Sequence, residues 1–369
     1  MKKVLFFIPN LSVGGAEKVL VNLVNHLDRS KFDITVQVLF AGGVNEQFLK
    51  KDIKLKACFR KTFRANSQIL KLFSPEALYK RFVKEHYDIV ISYLEGPTAR
   101  IVSGCKDRST KKVCWIHIQQ EDKKTAAYAF RSYGEAKRCY DSFNRIVCVS
   151  EYVKQDFTRL FDYHKRVDVL YNTNETEQIL QMSCKKIDLS IPTNVVKICI
   201  VGKLAVRKGV DKVARIQNRL LKNRYHTHII FIGNGPEEES LKQYFHEHHI
   251  EDTVTFTGYI TNPYPIIKYS DLFICASLSE GFSTAATEAL ILGVPVCTVN
   301  VSGMKEMLGE HNEYGIVTDN NEEALYNGIV DLLNDPDLLS HYRRQAQIRG
   351  KSFSTERTVK AVETTLTEV

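Results

Sequence analysis

Short apolar runs alternate with stretches of helical spacing along the whole chain. Residues 3–8 form a nearly continuous apolar run, and Val19, Leu20, Leu23, Val24 and Leu27 then recur at the three-to-four spacing of a helix over residues 15–27. The pattern predicts further strands at 34–40, 88–93, 113–117, 145–149 and 167–170. Apolar runs of this kind suit parallel strands covered on both faces. Their alternation with helices predicts a doubly wound α/β sheet. The pattern weakens over residues 173–193, a polar stretch that ends in Ile-Pro-Thr, and then restarts. A strand at 195–201, a helix at 209–221, a strand at 228–232 and a helix at 237–246 follow, with later strands at 253–257, 272–276 and 295–299. From Glu322 onward the spacing is mostly helical. We therefore expect a first α/β domain over 1–172, a linker over 173–194, a second α/β domain over 195–350, and a C-terminal helix over 351–369 that crosses back to the first domain. Two such domains predict a cleft, with ligands at the carboxyl ends of the strands.

Composition agrees with two globular domains: 369 residues, 44% hydrophobic and 25% charged. No apolar run approaches the roughly 18 to 20 residues of a membrane helix. The opening MKKVLFFIPN is too short for a signal-peptide core and no cleavage site follows it, so the expected location is cytoplasmic. The nine cysteines are scattered without a Cys-x-x-Cys pair, and Cys148, Cys199 and Cys275 fall in apolar runs, which points to reduced core thiols. Charge is the one unusual feature. Residues 1–172 hold 31 Lys and Arg against 18 Asp and Glu, a net +13, and the remainder holds 20 against 25, a net −5. The basic residues cluster at Lys50, Lys51, Lys54 and Lys56, at Arg60, Lys61 and Arg64, and at Lys80, Arg81 and Lys84. Such a face attracts anionic membrane, lipid diphosphate or nucleic acid, or is a solvated surface with no specific partner. No recognition helix, RNP-like string or zinc finger supports nucleic acid.

Four segments carry candidate chemistry. In PNLSVGGAEK, Gly14 and Gly15 lie between a predicted strand and a helix, where free amides of the first turn attract phosphate; the same string suits a tight strand–helix turn. It is neither Gly-x-Gly-x-x-Gly nor a P-loop. VGKLAVRKG brings Lys203, Arg207 and Lys208 to a strand end, where they could neutralise a diphosphate leaving group or stand as surface charge at a helix start. FIGNGPEEESL carries Gly233 and Gly235 in a loop that could approach a nucleotide base or be a capped turn. The fourth, SEGFSTAATEAL, is the sharpest. Glu280 lies in the loop, Ser283 or Thr284 can cap a helix, and Glu288 falls one turn inside it, so two carboxylates flank an anion-attracting helix start. Spacing alone also allows two unrelated surface glutamates.

The string E-G-F-x-x-x-x-x-E followed by ALILGVPV resembles the retaining glycosyltransferases of family four. Gly-Gly-Ala-Glu at 14–17, VGKLAVRKG, GNGPEEESL, TGYI at 257–260, YSDLFICAS at 269–277, VCVSEYV at 147–153 and VLYN at 169–172 resemble that family's other segments in order, so the resemblance spans nearly the whole chain. It implies the GT-B fold, two Rossmann-like doubly wound domains facing a central cleft, with the acceptor on the first and the nucleotide sugar on the second. It implies that Lys203 and Lys208 meet the donor diphosphate, that Gly14 and Gly15 lie at the same phosphates, and that Gly233 and Gly235 belong to the donor loop. Glu288 would bind the ribose and Glu280 face the donor sugar, with Gly281, Phe282, Ser283 and Thr284 beside sugar and phosphate. His117 would be the active-site histidine, although a strand-end histidine by itself is more often structural.

Lysine at 203 departs from the family's usual arginine and offers phosphate a point charge in place of a two-donor fork. The one Asp-x-Asp string, Asp335-Pro336-Asp337, reads as a helix cap rather than a metal site. The expected enzyme transfers a hexose from a nucleoside-diphosphate sugar, a UDP-sugar first, with retention, and requires no metal or other cofactor. The expected acceptor is a saccharide on a polyprenyl diphosphate in cell-surface polysaccharide assembly (capsule, exopolysaccharide or O-antigen), with peripheral attachment to anionic membrane through the basic first domain. The alternatives are a nucleotide-sugar epimerase of similar fold and a non-catalytic UDP-binding assembly subunit.

Overall fold

The computed structural model describes residues 1–12, 14–120, 122–186, 189 and 191–369. The chain divides into two compact units, one made of Met1–Asn174 with Thr355–Val369 and the other of Glu175–Ser354.

The first unit is built on seven strands, β1 (Lys2–Ile8), β2 (Phe32–Phe40), β3 (Lys54–Phe59), β4 (Ile89–Ser92), β5 (Lys111–Ile116), β6 (Arg145–Cys148) and β7 (Val167–Val169). All pairings are parallel, in the order β3-β2-β1-β4-β5-β6-β7. Val4 through Ile8 have no exposed surface, as a central strand with helices on both faces requires. Helix Gly15–His26 follows β1. The helix Thr355–Glu368 packs on it, and the Lys2 ammonium reaches the carbonyls of Leu366 and Thr367, each at 3.0 Å.

The second unit has six parallel strands, β8 (Val196–Val201), β9 (Thr227–Ile232), β10 (Val254–Phe256), β11 (Leu272–Cys275), β12 (Val296–Val299) and β13 (Ile316–Thr318), in the order β10-β9-β8-β11-β12-β13. Its core gathers Ile198, Ile200, Val213, Ile216, Leu220, Phe231, Phe245, Ile274 and Ile329. Gly209, at φ +65°, lets the chain turn into helix Val210–Lys222; a Cβ there would come within 2.1 Å of the Ala276 carbonyl oxygen.

Several elements differ from the sequence expectation. β3 and β13 exist where no strand was predicted. The segment read as a linker contains helix Thr176–Met182, packed on helices Tyr264–Tyr269 and Thr284–Ile291 of the second unit. Helices Asn66–Leu72, Lys123–Ala126 and Tyr133–Asp141 also stand where the sequence pattern singled out no element. All nine cysteines are free, and seven are buried.

Each sheet reverses its strand order once, between β1 and β4 and between β8 and β11. Connections leave in opposite directions there and open a crevice at the carboxyl ends of those strands.

Candidate active site

In the second unit, the loops after β8 and β11 meet at the reversal point. Gly202, Lys203, Lys208, Ser277, Glu280 and Ser283 line one pocket there. The Lys208 ammonium is ion-paired with Glu280, and the Ser277 hydroxyl donates to the same carboxylate oxygen at 2.7 Å. The loops are also tied through their backbones, with the Leu278 amide donating to the Arg207 carbonyl at 2.8 Å. Lys203 is exposed beside this pair.

Helix Thr284–Ile291 starts at the same place. Ser283 is its N-cap and accepts from the Ala286 amide at 3.3 Å. Phe282 is buried, with its ring 5.7 Å from that of Phe353, and Ser302 donates to the Gly281 carbonyl at 3.2 Å. These contacts hold the loop from Glu280 to Thr284 with the positive end of the helix behind it. Glu288 sits one turn in, buried, and accepts from the Tyr264 hydroxyl at 3.4 Å.

Gly233 and Gly235 are not in the pocket wall. They let the loop after β9 press on the Lys203 loop: a Cβ on either would come within 2.1 Å of a carbonyl oxygen, that of Gly202 or Leu204. The Leu204 amide donates to the Asn234 carbonyl at 2.9 Å and its carbonyl accepts from the Glu237 amide at 3.0 Å, so the glycines shape the loop that presents Lys203.

Gly14, Gly15 and His117 belong to the first unit; the two glycines follow β1, at the reversal point, and His117 follows β5, the strand next to β4. Gly14 is the N-cap of helix Gly15–His26, and the Glu17 carboxylate folds back against it. Val13 lies outside the described residues. His117 follows β5 and is buried; its Nε2 has no hydrogen-bond partner among the described residues. The Glu95 carboxylate, from the loop after β4, accepts from the His117 amide at 2.8 Å, and the Tyr93 ring stands 4.9 Å from the imidazole. Burial pushes the Glu95 carboxyl up to about 7 against the pull of two backbone bonds, with the Glu17 charge adding to the rise. Burial pushes the His117 imidazole down to about 3, which keeps it neutral. Burial also raises Glu17. A neutral imidazole with an unpaired buried nitrogen, beside carboxyls poised to hold protons, suits hydrogen bonding to hydroxyl groups.

Sequence reasoning missed Glu95, Ser277 and Tyr264. Ser277 stands three residues before Glu280 at the end of an apolar strand, and Glu95 precedes Gly-Pro at the end of β4; both positions were visible as strand-end polar residues. Tyr264 meets Glu288 only through tertiary packing. Asp335 caps helix Pro336–Gly350, accepting from the amides of Asp337 and Leu338 at 3.0 and 2.9 Å. Among the described residues no group of three or more His, Cys, Asp or Glu could hold a metal ion, and no helix is long and apolar enough to cross a membrane.

The family model described as Glycosyltransferase Family 4 matches residues 13–178, and the one described as Glycosyl transferases group 1 matches residues 185–349. Among curated proteins, the chain is 26% identical over 96% of its own length and 96% of the relative's to the N-acetylgalactosamine-N,N'-diacetylbacillosaminyl-diphospho-undecaprenol 4-alpha-N-acetylgalactosaminyltransferase of Campylobacter jejuni. It is 23% identical over 88% of its length, and 86% of the relative's, to a lipopolysaccharide core biosynthesis glycosyltransferase of Rhizobium meliloti. Among solved structures, Anabaena HepE in complex with UDP and glucose superposes with a TM-score of 0.78 at 17% identity, covering 100% of both chains. These structures share the GT-B arrangement of two Rossmann-like domains. The two family models lie end to end across both units, and the chain belongs to the glycosyltransferase family that they describe.

Proposed function

We propose that this glycosyltransferase moves a glucose-, galactose- or N-acetylglucosamine-type hexose from a UDP-sugar to a lipid-linked saccharide during cell-surface polysaccharide assembly, with retention and without a required metal. The observation that carries the reading is the Lys208–Glu280 pair at the start of helix Thr284–Ile291. A diphosphate set there would find the Lys208 and Lys203 ammonium groups and the positive helix end, which oppose the charge that builds as the sugar–phosphate bond breaks. Glu280, held by Ser277, would face the sugar, and Glu288 the ribose hydroxyls. No side chain of the pocket is an evident covalent nucleophile. Retention would then follow a same-face route, in which the departing phosphate takes the acceptor proton. The names of the Campylobacter and Rhizobium relatives support the acceptor class, and the UDP bound to HepE supports the nucleotide.

The test is UDP release from a panel of UDP-Glc, UDP-Gal, UDP-GlcNAc, UDP-GalNAc and GDP-sugars, with and without EDTA. One UDP-sugar should stand out, with release unchanged by EDTA. Glu280→Gln should lower turnover at least tenfold while keeping UDP affinity. UDP binding with no sugar released from any donor, with or without acceptor extracts, would instead identify a binding-only assembly subunit.

A further inference from the structure

The first unit also holds a cavity of about 950 Å³ that none of the candidate active-site residues lines. It lies against β2 and β3 at the sheet edge, beneath helices Asn66–Leu72 and Pro75–Phe82. Its wall is mainly carbon, from Phe59, Phe63, Ile69, Phe73, Leu78 and Phe82. The Phe59 ring centroid is 5.2 Å from that of Phe63 and 5.5 Å from that of Phe82. The volume is at the upper end of the roughly 300–1,000 Å³ of small-molecule sites. An aromatic lining offers a sugar or nucleotide few hydrogen bonds and offers a hydrocarbon chain close packing.

The wall is anchored. Arg100, itself 1% exposed, donates to the carbonyls of Leu70 at 2.9 Å and Phe73 at 2.8 Å while it pairs with Glu135 at 3.1 Å. Arg131 donates to the carbonyls of Lys71 at 2.6 Å and Leu72 at 2.9 Å. Two arginines thus take carbonyls at the end of helix Asn66–Leu72, where only that of Leu70 also accepts from a backbone amide, that of Phe73 at 3.3 Å, among the described residues. With its end pinned, Ile69, Leu72 and Phe73 are still 41, 76 and 52% exposed.

Charge is segregated at the rim. Lys56 is occupied by Glu85 at 2.6 Å and by the Tyr87 hydroxyl at 3.1 Å. Arg81 and Lys84 are exposed, and neither has a carboxylate partner among the described residues. The Lys84 ammonium donates to the Lys80 carbonyl at 2.9 Å, which leaves its charge without a counter-ion. An apolar cavity with two cations at its mouth that lack a carboxylate partner among the described residues matches a molecule with a long hydrocarbon chain and a phosphate at one end.

We infer that this cavity holds the chain of a single-chain anionic lipid, a prenyl phosphate or diphosphate, with Arg81 and Lys84 receiving the phosphate. The assignment rests on the lipid-linked acceptor proposed above and gives that acceptor a seat. β3 is two strands from β1, whose end carries the Gly14–Gly15 loop. At about 4.8 Å per strand the two strands lie roughly 10 Å apart across the sheet.

Calorimetric titration of the full-length protein with farnesyl phosphate tests this, against farnesol, palmitate and inorganic phosphate. Farnesyl phosphate should bind at least tenfold more tightly than any of the three. Ala77→Trp, which fills the cavity from helix Pro75–Phe82, should weaken it at least tenfold. Arg81→Glu with Lys84→Glu should bring it level with farnesol. Both variants should keep the wild-type thermal shift with UDP, which shows that they fold. Equal binding of farnesyl phosphate and farnesol overturns the assignment, as does undiminished binding by Ala77→Trp. So does binding to phosphatidylglycerol vesicles without binding to farnesyl phosphate. Binding of farnesyl phosphate together with silence across the UDP-sugar panel would leave the lipid site standing and remove the hexosyltransferase reading.

Discussion

At the residue scale, Glu95 and His117 are coupled in opposite senses to pH. The Glu95 carboxyl is raised from 4.5 to about 7, so between those values the folded state holds a proton that the unfolded state has released, and stability falls as pH rises. His117 is lowered from 6.5 to about 3, so in that window the unfolded state holds the extra proton, and stability falls as pH drops. Each contributes a slope of about 1.4 kcal/mol per pH unit, and from pH 4.5 to 6.5 the two oppose each other. Glu95→Gln keeps an acceptor for the His117 amide and removes one slope. Chemical denaturation should show the variant losing stability relative to wild type as pH falls from 6.5 to 4.5; parallel curves would show that Glu95 does not carry the proton. His117 could be singled out in the sequence because it ends a strand in a matching motif. Glu95 shows in the sequence only as a polar residue near a strand end, and nothing in Tyr-Leu-Glu-Gly-Pro says that the carboxylate turns in to bind an amide 22 residues on.

At the scale of elements, long apolar strands were the most legible part of the fold. β1, β2, β8 and β9 have five or more consecutive buried or nearly buried positions, and a pattern of that length has one reading. β3 reads Lys-Leu-Lys-Ala-Cys-Phe and lies at a sheet edge, where half its positions face water and its lysines look like surface charge. Its neighbour, helix Asn66–Leu72, is only seven residues long, too short for periodicity to declare. Arg100 holds that helix from below, and its partner Glu135 is buried, kept under its ordinary range because Arg100 and the Arg131 amide outweigh the effect of burial. Arg100→Met should therefore cost about 3–5 kcal/mol in chemical denaturation, because it leaves the buried Glu135 carboxylate without a counter-ion and the Phe73 carbonyl without its donor. Arg100→Met with Glu135→Leu should recover more than half of that loss. A single variant with wild-type stability would show that the pair is not buried in solution.

For the whole molecule, charge divides with the units. Met1–Asn174 with Thr355–Val369 carries a net +12, and Glu175–Ser354 a net −4. The division is also topological. The first unit is closed by helix Thr355–Glu368, whose Val359, Val362 and Leu366 are buried and whose Glu363 accepts from the Asp28 amide at 2.7 Å. A fragment of residues 1–174 should lack a cooperative thermal transition, and addition of a 355–369 peptide should restore one. A fragment of residues 175–354 should melt cooperatively by itself and shift with UDP. Cooperative melting of 1–174 alone would contradict this closure. The second unit is a single uninterrupted stretch of chain, and its two ends are tied where the Thr176 hydroxyl reaches the Phe353 carbonyl at 3.5 Å. A segment that leaves and re-enters its host at one place can be exchanged as a cassette. The Lys208–Glu280 pocket could pass between relatives through a single pair of splice points, with its host unit left unbroken, so nucleotide-sugar choice and acceptor choice would be separately inherited traits.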